Sequence, residues 1–272
     1  MRSRFARSLA FVVLFMLGSC AGADFKLPQF TSVEVERAAL AIRTDAGGPA
    51  TNARTDDENR ALVSRVNNRL RENIAPLCRQ SEIEPCWFDV AYDEKDDVNA
   101  YAEGNNRIHI MRGLLHYLDS EEEVAAVVAH EIGHHLADHI SEKKTNATIG
   151  AILGGLLMGA AMVAGGYDPA YDNTNAGGQA LSGAMNMGAA VGALSYSKSQ
   201  EREADLLAAY ILARAGYDLD RAGEVWVVLA QMDDTTHASL LDTHPAGPER
   251  VVAWEKAMAE VRASSDLLPD TD

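Results

Sequence analysis

The chain has 272 residues, 47% of them hydrophobic and 24% charged, a globular composition with length for one sizeable core or two small ones. A formal net charge of −16 at pH 7 excludes nucleic acid as a partner and excludes a basic patch gripping anionic lipid. Aromatics make up only 6%, and the many alanines point to a helix-rich fold.

The N-terminus reads as a targeting segment. Arg2, Arg4 and Arg7 give a basic start, "LAFVVLFML" at 9–17 is an apolar run too short to span a bilayer, and "GSC" follows. "LGSC" resembles a bacterial lipobox, which makes residues 1–19 a lipoprotein signal peptide and Cys20 the lipidated first residue. The alternative is an ordinary cleavage site beside a chance cysteine. Ala21 rather than aspartate follows Cys20, the outer-membrane sorting pattern of a Gram-negative cell. The expected location is therefore the periplasmic side of the outer membrane. Losing the signal removes arginines and no acids, so anchorage there has to come from the lipid. Residues 20–55, with "TDAGGPATNARTDD", read as a lipidated N-terminus and flexible tether.

A helix capped by Asp56 or Asp57 is expected next, with apolar residues at 62, 63, 66, 70 and 74, stopped by Pro76. Cys78 and Cys86 bracket a short polar loop; in an oxidising periplasm they form a disulfide, which adds about 2–3 kcal/mol for so small a ring. "WFDVAY" alternates as a strand, and "VNAYAEGNNRIHIM" reads as a hairpin turning at Gly104-Asn105 with Ile108 and Ile110 on one face. "RGLLHYL" is a short helical piece. Ser120 with Glu123 then has the capping-box pattern that starts the helix of "EEEVAAVVAHEIGHHLADH".

Two uncharged, small-residue runs follow at 149–166 and 176–194, separated by "YDPAYDNTN". Closely packed helices or a mobile segment over the site are expected, with membrane contact as the alternative that length alone allows. Helices are expected over "SQEREADLLAAYILARAG", stopped by Gly216, over "DRAGEVWVVLAQM", and after the loop of "DTHPAGPER". Residues 266–272 read as a disordered tail.

His130 and His134 are four residues apart and share one helix face, a spacing that lets two imidazoles reach one zinc ion. Glu131 is turned by about 100° from His130, so it borders the metal as a base without competing as a ligand. A third protein ligand is required. In "QEREAD", Glu201 and Asp205 form an acidic pair on an apolar stripe, whereas Glu203 faces the other way among Tyr210 and Arg214. Glu201 is therefore the chosen ligand, Asp205 is placed to hydrogen-bond a ligand histidine or a reacting group, and Glu203 reads as solvated. His109, His116, His135 and His139 have no pattern and are taken as structural or exposed.

"HEIGHH" followed by "SKSQEREAD", together with "VNAYA", "GNNRIHIMRGLL" and "THPAGPER", resembles the gluzincin metalloendopeptidases of the HtpX, BepA and LoiP type, a family that includes the CAAX prenyl proteases. The lipobox places the chain nearest LoiP. The resemblance covers about 55 to 260. It implies an α+β, mostly helical, zincin-like catalytic domain over 56–265, with a small sheet or hairpin beside the metal helix. It also implies one Zn²⁺ on His130, His134 and Glu201, Glu131 as catalytic base, and Asp205 as an acid or proton donor behind the ligands. Lys198 departs from the family's usual arginine before the ligand glutamate. His244 is left open: it can occlude the metal, donate to an oxyanion, or simply pack against proline.

The expected activity is metal-assisted hydrolysis of polypeptide substrates, unfolded or misassembled envelope proteins, with "NAYA" or "RIHIM" offering the strand edge that holds the substrate backbone. The outer-membrane assembly machinery is a candidate partner. The competing reading is a periplasmic chaperone or adaptor whose zinc site is structural or plugged.

Overall fold

The computed structural model describes residues 25–44, 51–168, 172, 174–193, 195–232 and 239–271; the signal segment and Cys20 lie outside them. In chain order the elements are α1 (Ser32–Thr44), α2 (Asp56–Arg71), α3 (Ala75–Gln80), β1 (Asp89–Asp93), β2 (Ala100–Glu103), β3 (Arg107–Met111), α4 (Arg112–Leu115), α5 (Glu121–Leu136), α6 (His139–Ala164), α7 (Ala176–Gly192), α8 (Lys198–Arg214), α9 (Leu219–Gln231), α10 (Ser239–Thr243) and α11 (Pro248–Ala263). The class is α+β, mostly helical, around one small sheet.

The centre of the molecule is α5. Ser120 accepts the Glu123 amide as its cap, while the Glu123 carboxylate reaches back past Ser120 to the Asp119 amide. From Glu123 to Leu136 every side chain is buried. Each of Val124, Val127, Val128, Ile132 and Leu136 contributes about 1.5–3 kcal/mol by leaving water, which is what allows the helix to carry polar side chains in its middle. Helix α5 is sandwiched between α2 and the sheet on one side and α8 and α9 on the other.

Helix α2 buries Leu62, Val63, Val66 and Leu70, as its spacing predicts. Its cap is Thr55, one residue before the expected aspartates, and it forms a full capping box with Glu58. Pro76 does not stop it: α2 ends at Arg71, and Pro76 sits in the first turn of α3, where its missing N–H has no role to lose. Cys78 and Cys86 are joined by a disulfide.

The sheet order is β1-β3-β2, with β1 parallel and β2 antiparallel to β3. The hairpin turns at 104–106, which includes the expected Gly104-Asn105, and Asn105 and Asn106 have left-handed backbone (φ 65° and 58°). Ile108 and Ile110 are fully buried against α5. Because β3 is paired on both sides, "RIHIM" has no free edge; β1 and β2 are the edge strands, and of the two expected substrate strands only "NAYA" lies at an edge.

Two segments expected to be loose are docked. Within the supposed tether, α1 lies against α11 and α9, held by an ion pair from Lys256 to Glu34 (2.5 Å) and by the Arg202 guanidinium over the Phe30 ring. In the supposed tail, the Asp270 carbonyl accepts the Lys26 amide, Pro269 accepts Gln80, and Thr271 bridges Phe25. Backbone pairing between the two ends of the described chain orders both.

Helices α6 and α7 form an antiparallel hairpin that packs backbone against backbone. A Cβ on Gly150 would stand 2.1 Å from the Gly188 carbonyl oxygen, and the reverse substitution would be as tight. The close packing expected of these runs is present, but their outer surfaces are bare: in α6, only His139 is buried.

Candidate metal centre

Three separate segments converge on one point. Helix α5 supplies His130 and His134, α8 supplies Glu201, and the loop after α10 supplies His244; one ligand atom from each lies within 4.8 Å of all the others. All four are buried. Local sequence explains each placement. Gly133 lets α5 and α8 touch, because a Cβ there would lie 2.7 Å from the Ala204 carbonyl oxygen. Ser197 and Gln200 form a capping box that starts α8 one turn before Glu201. Gly247, at φ 147° and ψ 179°, adopts a backbone open almost only to glycine, and swings the chain from His244 into α11, so that Arg250 re-enters the same site. Replacing Gly133 by alanine should overpack this crossing, costing about 1–3 kcal/mol in denaturant unfolding, and should lower divalent-metal affinity in titration calorimetry; unchanged values in both would show that α5 and α8 can separate freely.

The hydrogen bonds behind the histidines decide where their protons sit. His130 Nδ1 lies 2.9 Å from Asp205 Oδ1 and 3.3 Å from an Arg250 nitrogen; the carboxylate can only accept, so the closer contact favours a proton on Nδ1. His134 Nδ1 lies 2.9 Å from His139 Nδ1, and His139 Nε2 is 3.1 Å from the Glu203 carboxylate. Glu203 fixes the proton of His139 on Nε2, which makes His139 Nδ1 an acceptor and places the His134 proton on its own Nδ1. Both Nε2 atoms then present lone pairs, and they face each other at 3.1 Å. Glu201 adds acceptor oxygens 3.5 Å from His130 Nε2 and 3.4 Å from His134 Nε2. Acceptors gathered this way repel unless a cation lies among them, so the donor set fits a divalent metal.

The electrostatics agree. Burial pushes His134 well below the usual imidazole value, leaving it neutral at pH 7 and able to coordinate. Burial would raise Glu201, but the positive charge of Arg250, and after it that of His244 beside the carboxylate, outweighs it and holds the carboxyl well below its usual range. His244 Nδ1 is 3.0 Å from Glu201 and Nε2 3.7 Å from Glu131. Burial opposes charge on His244, yet these two carboxylates raise it above the ordinary value. The Glu131 carboxylate is fully enclosed, and among the described residues neither oxygen has a hydrogen-bond partner.

Of the residues singled out from sequence, the structure brings together His130, Glu131, His134, Glu201, Asp205 and His244. Glu203 is only partly exposed; it accepts from His139 and from the Phe25 amide. His139, expected to be structural or exposed, is structural and buried. It starts α6 directly after Asp138, whose left-handed backbone (φ 57°) turns the chain back toward α5. His135 is buried against Phe88, away from the four donors. Lys198 stays on the surface, paired with Glu249 at 2.7 Å.

Two residues were missed. Arg250 is buried and binds Asp205 through two nitrogens (2.9 and 2.7 Å) and Glu201 through a third (2.9 Å), while its guanidinium lies over Trp226. Tyr196 stacks on the His134 ring at 3.8 Å, and its backbone amide donates to the Thr243 carbonyl. "THPAGPER" held the signal for Arg250, an arginine six residues beyond a site histidine across a glycine turn. Nothing local distinguishes Tyr196.

Residues 64–258 match Peptidase family M48. The mitochondrial metalloendopeptidase OMA1 of Arabidopsis thaliana is 30% identical over 188 residues, which is 69% of this chain and 34% of that protein, so the match spans about a third of the relative's length. Most of the chain, and every segment that contributes to the buried His/Glu group, falls inside the matched stretch; the chain belongs to peptidase family M48, whose members are metal-dependent peptidases.

Proposed function

We propose that the chain is a zinc-dependent endopeptidase, with the ion held by His130, His134 and Glu201. The observation that carries this reading is the convergence described above: two imidazole Nε2 atoms at 3.1 Å, backed on their Nδ1 sides by Asp205 and His139, beside a buried carboxylate that Arg250 holds well below its usual range. Bound there, zinc supplies Lewis acidity to the scissile carbonyl and to water. The chain's own groups do the rest. Glu131 takes a proton from the attacking water on its unpartnered carboxylate and delivers it to the departing amine nitrogen as the C–N bond breaks. Asp205 and the His139–Glu203 pair hold the two imidazoles in the ligating tautomer. The open edge of β2, "AYAE", offers main-chain bonds to an extended substrate. Recognition through backbone suits unfolded polypeptides, and the "LGSC" segment supports envelope clients, a lipid anchor on Cys20 at the periplasmic side of the outer membrane, and kinship with LoiP within the family.

The enclosure of the site favours a second reading of its resting state. Glu131 and His134 have no exposed surface, and His244 fills the place beside them, as in an adaptor with a plugged zinc site. One experiment separates the two: metal content and casein proteolysis of the purified chain and of His244→Ala, with and without a chelator. About one zinc per chain, with chelator-sensitive cleavage that appears or rises in His244→Ala, supports an enzyme closed at rest. Bound zinc without cleavage in either protein would sink the peptidase and leave the adaptor.

A further inference from the structure

The α6–α7 hairpin exposes Ile149, Ile152, Leu153, Leu156, Leu157, Val163, Met185, Met187 and Val191, with Leu157 73% and Val163 79% accessible. No other part of the described chain bares apolar side chains in such number. We propose that this hairpin inserts into a lipid bilayer.

Three observations fix the occupant as lipid. The first is length. The uncharged helical stretches 149–164 and 176–192 run about 24 and 26 Å at the helical rise of about 1.5 Å per residue, against a hydrocarbon layer of about 30 Å. Helix α6 is long and apolar enough to cross a membrane by length and composition. The second is charge. Neither arm carries an acid or a base, although the chain as a whole is 24% charged; Lys143 and Lys144 stand at the domain end of α6, and the aspartates of "YDPAYDNTN" at the far end. That is the charge profile of a bilayer, with an uncharged centre and ions only at the two polar levels. The third is that the bare surface has no single side. Met185 and Met187 lie about 200° apart around α7, yet both are exposed. A second copy or a client chain docked on one face would leave the other wet, whereas a surrounding apolar solvent covers both.

The internal packing suits the same medium. Gly150 and Gly154 on α6 meet Gly188 and Ala184 on α7 at backbone contact, and Gly192 meets Asn146 in the same way, so the arms adhere by close approach and do not depend on water to drive large side chains between them. The inference does not rest on the peptidase reading and would survive its failure.

The test places a tryptophan on the hairpin of the full chain, Leu157→Trp and separately Leu153→Trp, with Val33→Trp on the exposed face of α1 as control. Each is reconstituted with vesicles of phosphatidylethanolamine and phosphatidylglycerol, with or without bromine on the acyl chains, and the parent's emission is subtracted. All three sites are exposed, with room for the larger side chain, and circular dichroism checks the fold. The expected result is blue-shifted added emission from both hairpin positions, lost on acyl bromination, while Val33→Trp is unaffected. Solvent-like emission without quenching would overturn the proposal. So would a blue shift without quenching, which would mean that protein covers the hairpin, or equal quenching of Val33→Trp.

Discussion

Glu131→Gln should bind zinc as tightly as the parent and lose about 10²–10⁴-fold in proteolytic rate, the usual contribution of a positioned general base. The side chain is isosteric, and Glu131 is not among the four donors that converge, so ion binding has no reason to change. What disappears is the capacity to accept a proton. In the parent both Glu131 oxygens are free of hydrogen bonds among the described residues, so their basicity is unspent. The amide of glutamine has no comparable basicity. Metal analysis beside single-turnover cleavage reads the two effects separately; cleavage within tenfold of the parent would remove Glu131 from the mechanism.

Arg250→Ala should cost about 3–5 kcal/mol of folding stability, the penalty for removing one partner of a buried ion pair. The guanidinium faces two buried carboxylates, Asp205 and Glu201, and is itself 5% exposed. Truncation leaves both acids enclosed without a compensating cation and removes the plane stacked on Trp226. Zinc should recover part of the loss by neutralising Glu201, but not the part at Asp205, so the deficit measured in denaturant should shrink and persist when metal is added. Arg250→Lys should restore little, because a single ammonium cannot bridge Asp205 in a two-nitrogen fork and reach Glu201 as well. A deficit below about 1 kcal/mol for Arg250→Ala would mean that the acids find other partners.

Much of the centre was legible because it violates the helices that bear it. His130, Glu131 and His134 interrupt an apolar helix, and Glu201 with Asp205 interrupts an apolar stripe, so burial and chemistry conflict visibly in a single dimension. Arg250 was not legible for the opposite reason: an arginine in the first turn of α11 has nothing in its local spacing to mark it as buried, and only the fold brings α8 beneath it. Glu203 was misread because its own helix face, with Tyr210 and Arg214, is polar; the surface that meets it belongs to His139 and Phe25, far away in sequence. The same holds for the ends of the chain. "SSDLLPDTD" has no periodicity to reveal that its carbonyls would find Lys26 and Gln80. Local spacing did identify α2, β1, the hairpin strands, α8 and α9; in α2 and α9 the regular apolar positions are the ones buried.

His134 is gripped from both feet of the helical hairpin at once. His139, opening α6, holds its Nδ1, and Tyr196, just beyond α7, lies flat on its ring. Glu142 and Gln200, joined at 2.6 Å, clamp the same two strands of chain. A lever whose fulcrum is a single imidazole transmits in both directions: whatever spreads the feet must turn that ring, and whatever fixes the ring must stiffen the feet by the same free energy.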